Sequence, residues 1–101
     1  MISVRYFDWV LYEKFSSEQN KYPKYTREEI EEAILEDGAR IKQLGNKRFL
    51  VLGKTAHRKH LFAVVRYDKK YTLSPIFVRE MLEEEIEHYN QFQFLMSGPK
   101  N

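Results

Sequence analysis

From Ala39 onward the apolar residues recur at every second position, not at the spacing of a helix. "ARIKQL", then Gly45-Asn46, then "KRFLVLG" read as a strand, a tight turn and a second strand, because alternation by two puts successive side chains on opposite faces of a sheet. The Gly-Asn pair suits the positive dihedral angles of a hairpin turn. "KHLFAVVRY" is a third strand, Asp68-Lys69-Lys70 a turn, and "YTLSPIFV" a fourth strand. Pro75 cannot donate to a ladder, so the fourth strand is expected at an edge or with a bulge near Pro75.

Outside this block the spacing is helical. "ISVRYFDW" (Ile2 to Trp9) is aromatic and β-branched, and reads as an additional strand or as the lead-in to a helix through Val10, Leu11 and Phe15. Asn20 to Lys24 is loop, since Pro23 disfavours helix at the residue before it. Thr26 with Glu29 forms a capping box, after which Ile30, Ala33 and Ile34 share one face of a helix that stops at Asp37-Gly38. From Arg79 the helical period returns, with Leu82, Ile86 and Tyr89 on one face and Glu83, Glu84 and Glu87 away from it. The apolar run Phe92 to Met96 is expected to cover the core, and residues 97–101 to fray. The expected fold is α+β: two N-terminal helices, a four-stranded antiparallel sheet with room for an additional N-terminal strand, and a C-terminal helix, in one domain over residues 1–96.

Length and composition agree with a single core. The chain has 101 residues, 43% of them hydrophobic, and no cysteine. Disulfides, thiolate metal sites and a thiol nucleophile are therefore excluded. Neither a signal-peptide pattern nor a run long enough to span a bilayer is visible, so the expected location is cytoplasmic, away from membranes. The net charge of +2 conceals a strong division: residues 39–79 carry eleven Lys/Arg against one Asp/Glu, while each flank carries a net charge of −4. Clustered positive charge attracts phosphate backbones, and the acidic flanks are either a solvated surface or the cluster's own counterions.

Several short motifs must be weighed against that background. Gly53-Lys54-Thr55 ends like a phosphate loop, but the first glycine of such a loop would fall at Arg48 and the following segment is a strand, so Gly53 reads as a strand end. His57 and His60 flank Arg58 and Lys59, whose charge opposes a divalent cation, so no metal is expected. No other cofactor is implied. The acidic runs Glu28-Glu29-Glu31-Glu32 and Glu83-Glu84-Glu85 read as solvated helix faces, and His88 as a solvated residue. What remains is a cationic constellation near strands and turns: Arg48, Lys54, Arg58, Lys59, His60, Arg66 and Arg79. Metal-free RNA cleavage requires a base, cationic donors for charge developing on phosphorus, and an acid. Arginine suits the second role through its planar fork of donors. A sheet decorated with ordinary solvated Lys and Arg is the alternative.

The order "FDW" (Phe7 to Trp9), "TREEIEE" (Thr26 to Glu32), "RFLVLGKT" (Arg48 to Thr55), "RKHLFAVV" (Arg58 to Val65) and "VREMLEEEIEHY" (Val78 to Tyr89) resembles the BrnT-like toxin family, which is similar in fold to RelE-type ribonuclease toxins. The resemblance implies a small metal-independent endoribonuclease that arrests translation by acting on mRNA, free or at the ribosome, and that is neutralised by a cognate antitoxin. It implies roles for the matched Arg48, Arg58 and Arg79, with Arg58 and Arg79 at the scissile phosphate and Lys24 or Lys21 standing where the family has its lysine. The reading of the cationic constellation adds Lys54, Lys59 and Arg66 along the RNA beside Arg48, with Lys24 as a further contributor at the phosphate and His60 binding RNA or, like one of several tyrosines, transferring a proton. Met81, Glu85 and Tyr89 match the family's last helix. The chain departs from the pattern where "NKYPKYT" stands in place of Lys-His, where Phe77-Val78-Arg79 replaces Ser-Ala-Arg, where Ser74 replaces an arginine, and where Glu85-Ile86 replaces Glu-Arg. Those losses define the second expectation, a catalytically degenerate domain that binds RNA or a protein partner without cleaving.

Overall fold

The computed structural model describes residues 4–18, 25–68 and 71–97. Elements follow in the order β1 (Tyr6–Phe7), α1 (Val10–Glu18), α2 (Arg27–Ile34), β2 (Arg40–Gly45), β3 (Arg48–Lys54), β4 (His60–Tyr67), β5 (Thr72–Glu80) and α3 (Glu83–Ser97). The fold is α+β, with three helices on one five-stranded mixed sheet of order β1-β5-β4-β3-β2. Strands β2 to β5 form the expected antiparallel meander. The additional N-terminal strand that the sequence allowed is present as β1, but the expectation of an antiparallel sheet needs correction, because β1 pairs parallel to β5 through Tyr6↔Thr72 and Phe7↔Leu73. Backbone N–H groups of Arg5 and Asp8 donate to the carbonyls of Tyr71 and Leu73 and hold that short strand in place.

The structure differs from the sequence reading at two points and agrees with it at Pro75. The first turn is Asn46-Lys47, one residue later than expected, because the ladder shifts between Gln43 and Gly45. Lys47, with φ 63°, adopts the left-handed conformation there, while no glycine has positive φ among the described residues. At Pro75 the anticipated bulge is present: Val65 pairs with Pro75 and Val64 with Phe77, which leaves Ile76 extra. Finally, β5 runs on through Arg79 and Glu80, so α3 begins at Glu83 and Leu82 is exposed instead of joining the buried helix face.

Packing follows the alternation of the strands. One face of the sheet carries Val51, Leu61, Ala63, Val65, Leu73 and Val78, which pack with Tyr12 of α1 and with Ile30, Ala33 and Ile34 of α2. The capping box that starts α2 is complete: Thr26 Oγ1 accepts from the Glu29 N–H at 3.1 Å, and Glu29 Oε1 accepts from the Thr26 N–H at 3.0 Å. Such a cap is worth about 1 kcal/mol. In α1 the buried residue is Tyr12, while Val10 and Leu11 are exposed, contrary to the expected apolar stripe. Phe15 instead meets Phe77 edge-on, so α1 covers the flank of β5. The opposite sheet face buries less: Leu52 with Met81 and Tyr89, flanked by Leu50, Phe62 and Ile86.

Gly53 is not a strand end. It lies inside β3, where the backbone of α2 rests directly on the sheet, and a Cβ placed there would stand 1.9 Å from the Ala33 carbonyl oxygen. Glycine is required by that close approach.

Candidate nucleic-acid interface

Cross-strand partners in an antiparallel ladder point to the same side of the sheet, so the register decides which cations share a face. Arg40 pairs with Leu52, Lys42 with Leu50, Arg48 with Arg66, Lys54 with His60, and Phe62 with Arg79. Alternation along β3 and β4 then places Arg40, Lys42, Arg48, Lys54, Arg66, Arg79 and His60 on one face, opposite the face packed by α2. Arg40 and Lys42 were not among the expected site residues. Their signal was present as two cations separated by one residue on a strand.

Apart from Arg40 and Lys42 on β2, the cations of this face fall into two groups. Lys54, His60 and Arg79 lie at the end next to the β3–β4 turn, whereas Arg48 and Arg66 lie at the other end. Arg48 and Lys54 are six steps apart along β3, roughly 20 Å on an extended strand. Phe62, Leu50 and Val64, all half-buried, occupy the surface between them. The arrangement is an elongated strip, positive at both ends, whose apolar middle is edged by Arg40 and Lys42 of β2.

Arg79 is already engaged. Its Nη1 and Nη2 donate to the two Glu85 carboxylate oxygens, each at 2.9 Å, and Nη1 also reaches the Glu80 carbonyl. The guanidinium lies 3.7 Å from the centroid of the Phe62 ring, an arrangement that combines a two-pronged ion pair with cation–π attraction. Glu85 Oε1 additionally accepts from the Leu82 N–H at 2.8 Å and so caps α3. Hydrogen bonding by Arg79 holds the Glu85 carboxyl below its ordinary value. Glu85 is therefore a counterion and a helix cap, which corrects the reading of Glu83-Glu84-Glu85 as uniformly solvated. Glu83 and Glu84 are exposed as expected.

The turn that carries Arg58 is held from the other side of the sheet. Thr55 is buried, and its hydroxyl accepts from the N–H groups of His57 and Lys59 at 3.2 and 3.1 Å. The threonine of "GKT" thus organises its own turn. Glu29 in the first turn of α2, Glu32 in its body and Glu36 just past its C-cap all reach this segment: Glu29 Oε2 accepts from Lys59 Nζ at 2.7 Å, Glu32 from the Ala56 N–H at 3.1 Å and Glu36 from the Lys54 N–H at 2.8 Å. This corrects the reading of the α2 acids as a purely solvated face. They are in part the counterions of the basic segment. Lys59, expected along the RNA, is paired with Glu29, and that bond raises the lysine's pKa and lowers the glutamate's.

Arg58 is exposed and has φ 67°. A non-glycine residue in that region costs about 1–2 kcal/mol. Its side chain makes no hydrogen bond or ion pair among the described residues. The structure brings Arg58 and Arg79 to the same end of the sheet, but only Arg58 is open to a ligand. Lys21 and Lys24 lie outside the described residues, and so do the side chains of Phe92 to Met96 and the end of the tail.

Behind Lys54 and His60 stands a buried polar contact that the sequence reading missed. The Tyr89 hydroxyl is 2.7 and 2.6 Å from the two Glu36 carboxylate oxygens, and the Tyr89 ring is fully buried. Burial, reinforced by Glu36, pushes the Tyr89 phenol well above its usual value. The His60 ring meets Tyr89 edge-on at 5.5 Å. Burial and the nearby Lys54 lower the His60 pKa, favouring the neutral imidazole. A neutral imidazole beside an ammonium group can accept a proton while the cation stabilises an adjoining anion.

Among the described residues no group of three or more His, Cys, Asp or Glu side chains stands together as a metal site, and no helix is long and apolar enough to cross a membrane. No protein-family profile, curated protein or solved structure matches the chain.

Proposed function

We propose that the protein binds RNA along the cationic sheet face and acts as the toxin of a toxin–antitoxin pair, a metal-independent endoribonuclease of the BrnT-like kind that targets mRNA. The observation that carries this reading is the gathering of Arg40, Lys42, Arg48, Lys54, Arg66, Arg79 and His60 on the sheet face opposite α2. In this reading His60 accepts the proton of a 2′-hydroxyl, and Lys54 and Arg58 stabilise charge developing on the phosphate. Arg79 contributes through Glu85: it orients the start of α3 and joins the reaction only if RNA displaces the carboxylate. Arg48 and Arg66 track the strand. Lys24 remains an assigned contributor by resemblance, as do a cognate antitoxin, the ribosome and a cytoplasmic setting.

The pairing of Arg79 with Glu85 favours a second reading, RNA binding without cleavage, because the cation expected at the scissile phosphate is already neutralised. One experiment separates the two. Purified protein is incubated with mRNA in the presence of a chelator, beside His60→Gln and Arg58→Ala. Cleavage lost in both variants supports the nuclease. Salt-sensitive binding with no cleavage in any form supports the binding domain, and no RNA binding at low salt refutes both.

A further inference from the structure

At the end of the sheet away from His60, Arg48 and Arg66 are direct cross-strand partners. Side chains so placed have Cβ atoms about 4.5–5.5 Å apart, and like charges opposite one another oppose folding. Neither arginine makes an ion pair among the described residues, and both are exposed. Lys47, the next residue along, holds a left-handed conformation at φ 63° that glycine would adopt at lower cost. Its carbonyl is fixed by the Tyr67 N–H at 2.8 Å, so the turn carrying this third cation is set firmly against β4. Lys47, Arg48 and Arg66 line a concavity of about 540 Å³ together with Leu44 and Val64, and no carboxylate lines it among the described residues. Glu85 neutralises Arg79 and Glu29 neutralises Lys59. Here three cations converge with no ion-pair partner among the described residues.

We infer that this concavity is a binding site for a phosphate monoester on a nucleotide-sized molecule. Two guanidinium forks can each donate to phosphate oxygens in pairs, and a monoester near neutral pH carries up to two negative charges against one for a backbone diester. The volume falls within the range of pockets that hold a small ligand, with Leu44 and Val64 as apolar walls. The site stands about 20 Å from His60 by the length of β3, and it goes beyond the ribonuclease reading, since occupancy requires no cleavage.

The test is a titration of the ¹⁵N-labelled full chain, followed by NMR, with inorganic phosphate, a nucleoside 5′-monophosphate and the unphosphorylated nucleoside. Saturating shifts at the Lys47, Arg48 and Arg66 amides are expected with the first two and none with the third. Affinity for the nucleoside 5′-monophosphate should rise severalfold from pH 5 to pH 7 as the second proton of the monoester leaves near pH 6, while sulfate affinity stays flat. The double variant Arg48→Gln/Arg66→Gln should bind at least about tenfold more weakly, yet melt no lower than the wild type, because removing opposed like charges relieves repulsion. Shifts centred on Lys54 and Lys59, or wild-type binding by a folded double variant, would overturn the site. Oligoribonucleotides with and without a 5′-phosphate identify the source: tighter binding of the phosphorylated strand assigns an RNA end, and equal binding of the two assigns a free nucleotide. Cleavage is scored separately, so a nuclease that ignores inorganic phosphate refutes only the site, and a phosphate binder that never cuts RNA refutes only the nuclease.

Discussion

Gly53→Ala offers the sharpest check on how this fold is built. The new Cβ would fall 1.9 Å from the Ala33 carbonyl oxygen and 2.7 Å from its carbon. An acceptable carbon–oxygen contact is about 3.3 Å, so α2 must retreat by about 1.4 Å. The obstacle is backbone, so no rotamer change can absorb it. A radial gap of about 0.5–1 Å already forfeits a quarter to a half of a dispersion contact. Ile30 and Ile34, both 1% exposed, are the side chains that α2 would withdraw, and each contributes about 1.5–3 kcal/mol when fully buried. A loss of about 2–4 kcal/mol follows, which reaches beyond the common range for overpacking of about 1–3 kcal/mol. Urea unfolding of the full chain reads it as a lower midpoint at constant slope. Gly45→Ala, where nothing lies within 4 Å of the added carbon, serves as the control and should change stability by no more than about 0.5 kcal/mol. Adding Ala33→Gly to the first variant should restore nothing, since it deletes a methyl group and leaves the carbonyl. A Gly53→Ala protein as stable as the wild type would refute the close-approach argument.

Other consequences are open to simpler measurements. Tyr89→Phe removes a hydroxyl that donates to a carboxylate and should cost about 1.5–3 kcal/mol in chemical denaturation; an unchanged midpoint would mean that the bond contributes nothing. Because the Glu85 carboxyl is held below its ordinary value, its contribution is complete above the unfolded-state carboxylate range and is lost as pH falls through the folded value. Arg79→Ala should therefore flatten the acid side of the stability curve, and an unaltered acid slope would contradict the pairing. The lowered His60 pKa likewise predicts stability that declines as pH falls below about 6.5, a decline that His60→Gln should remove if the imidazole is its source. For RNA binding, each cation of the strip that contacts a phosphate should lower the salt-dependence slope by about 0.7 when replaced by alanine, with Lys42→Ala the informative case because resemblance assigned it no role.

Much of the framework was legible because local rules and tertiary packing agree. The Thr26–Glu29 box, the alternation from Arg40 to Val78 and the Pro75 bulge each follow from chemistry within a few residues. The misplaced features depend on distant partners. The turn moved to Asn46-Lys47 because a register shift between Gln43 and Gly45 displaced it, and α3 started late because β4 extended β5 to Glu80. Glu29, Glu32 and Glu36 looked like a solvated stripe, since no short-range signal reveals a β-turn docked beside a helix. The common face of the cations was hidden for the same reason: alternation places a residue on a side of its own strand, and only the register relates one strand to the next. Gly53 shows the limit most clearly, as its cause is an oxygen atom twenty residues earlier in the chain.

Glu36 accepts at once from the end of β3 and from the side chain of α3, and so ties the terminal helix to the corner where α2 meets the hairpin. If α2 settles on the hairpin before α3 docks, the terminal helix finds its hydroxyl's acceptor last. Removing that hydroxyl should accordingly quicken unfolding while leaving the refolding rate nearly untouched. The last helix would behave as the final piece to close and the first to open.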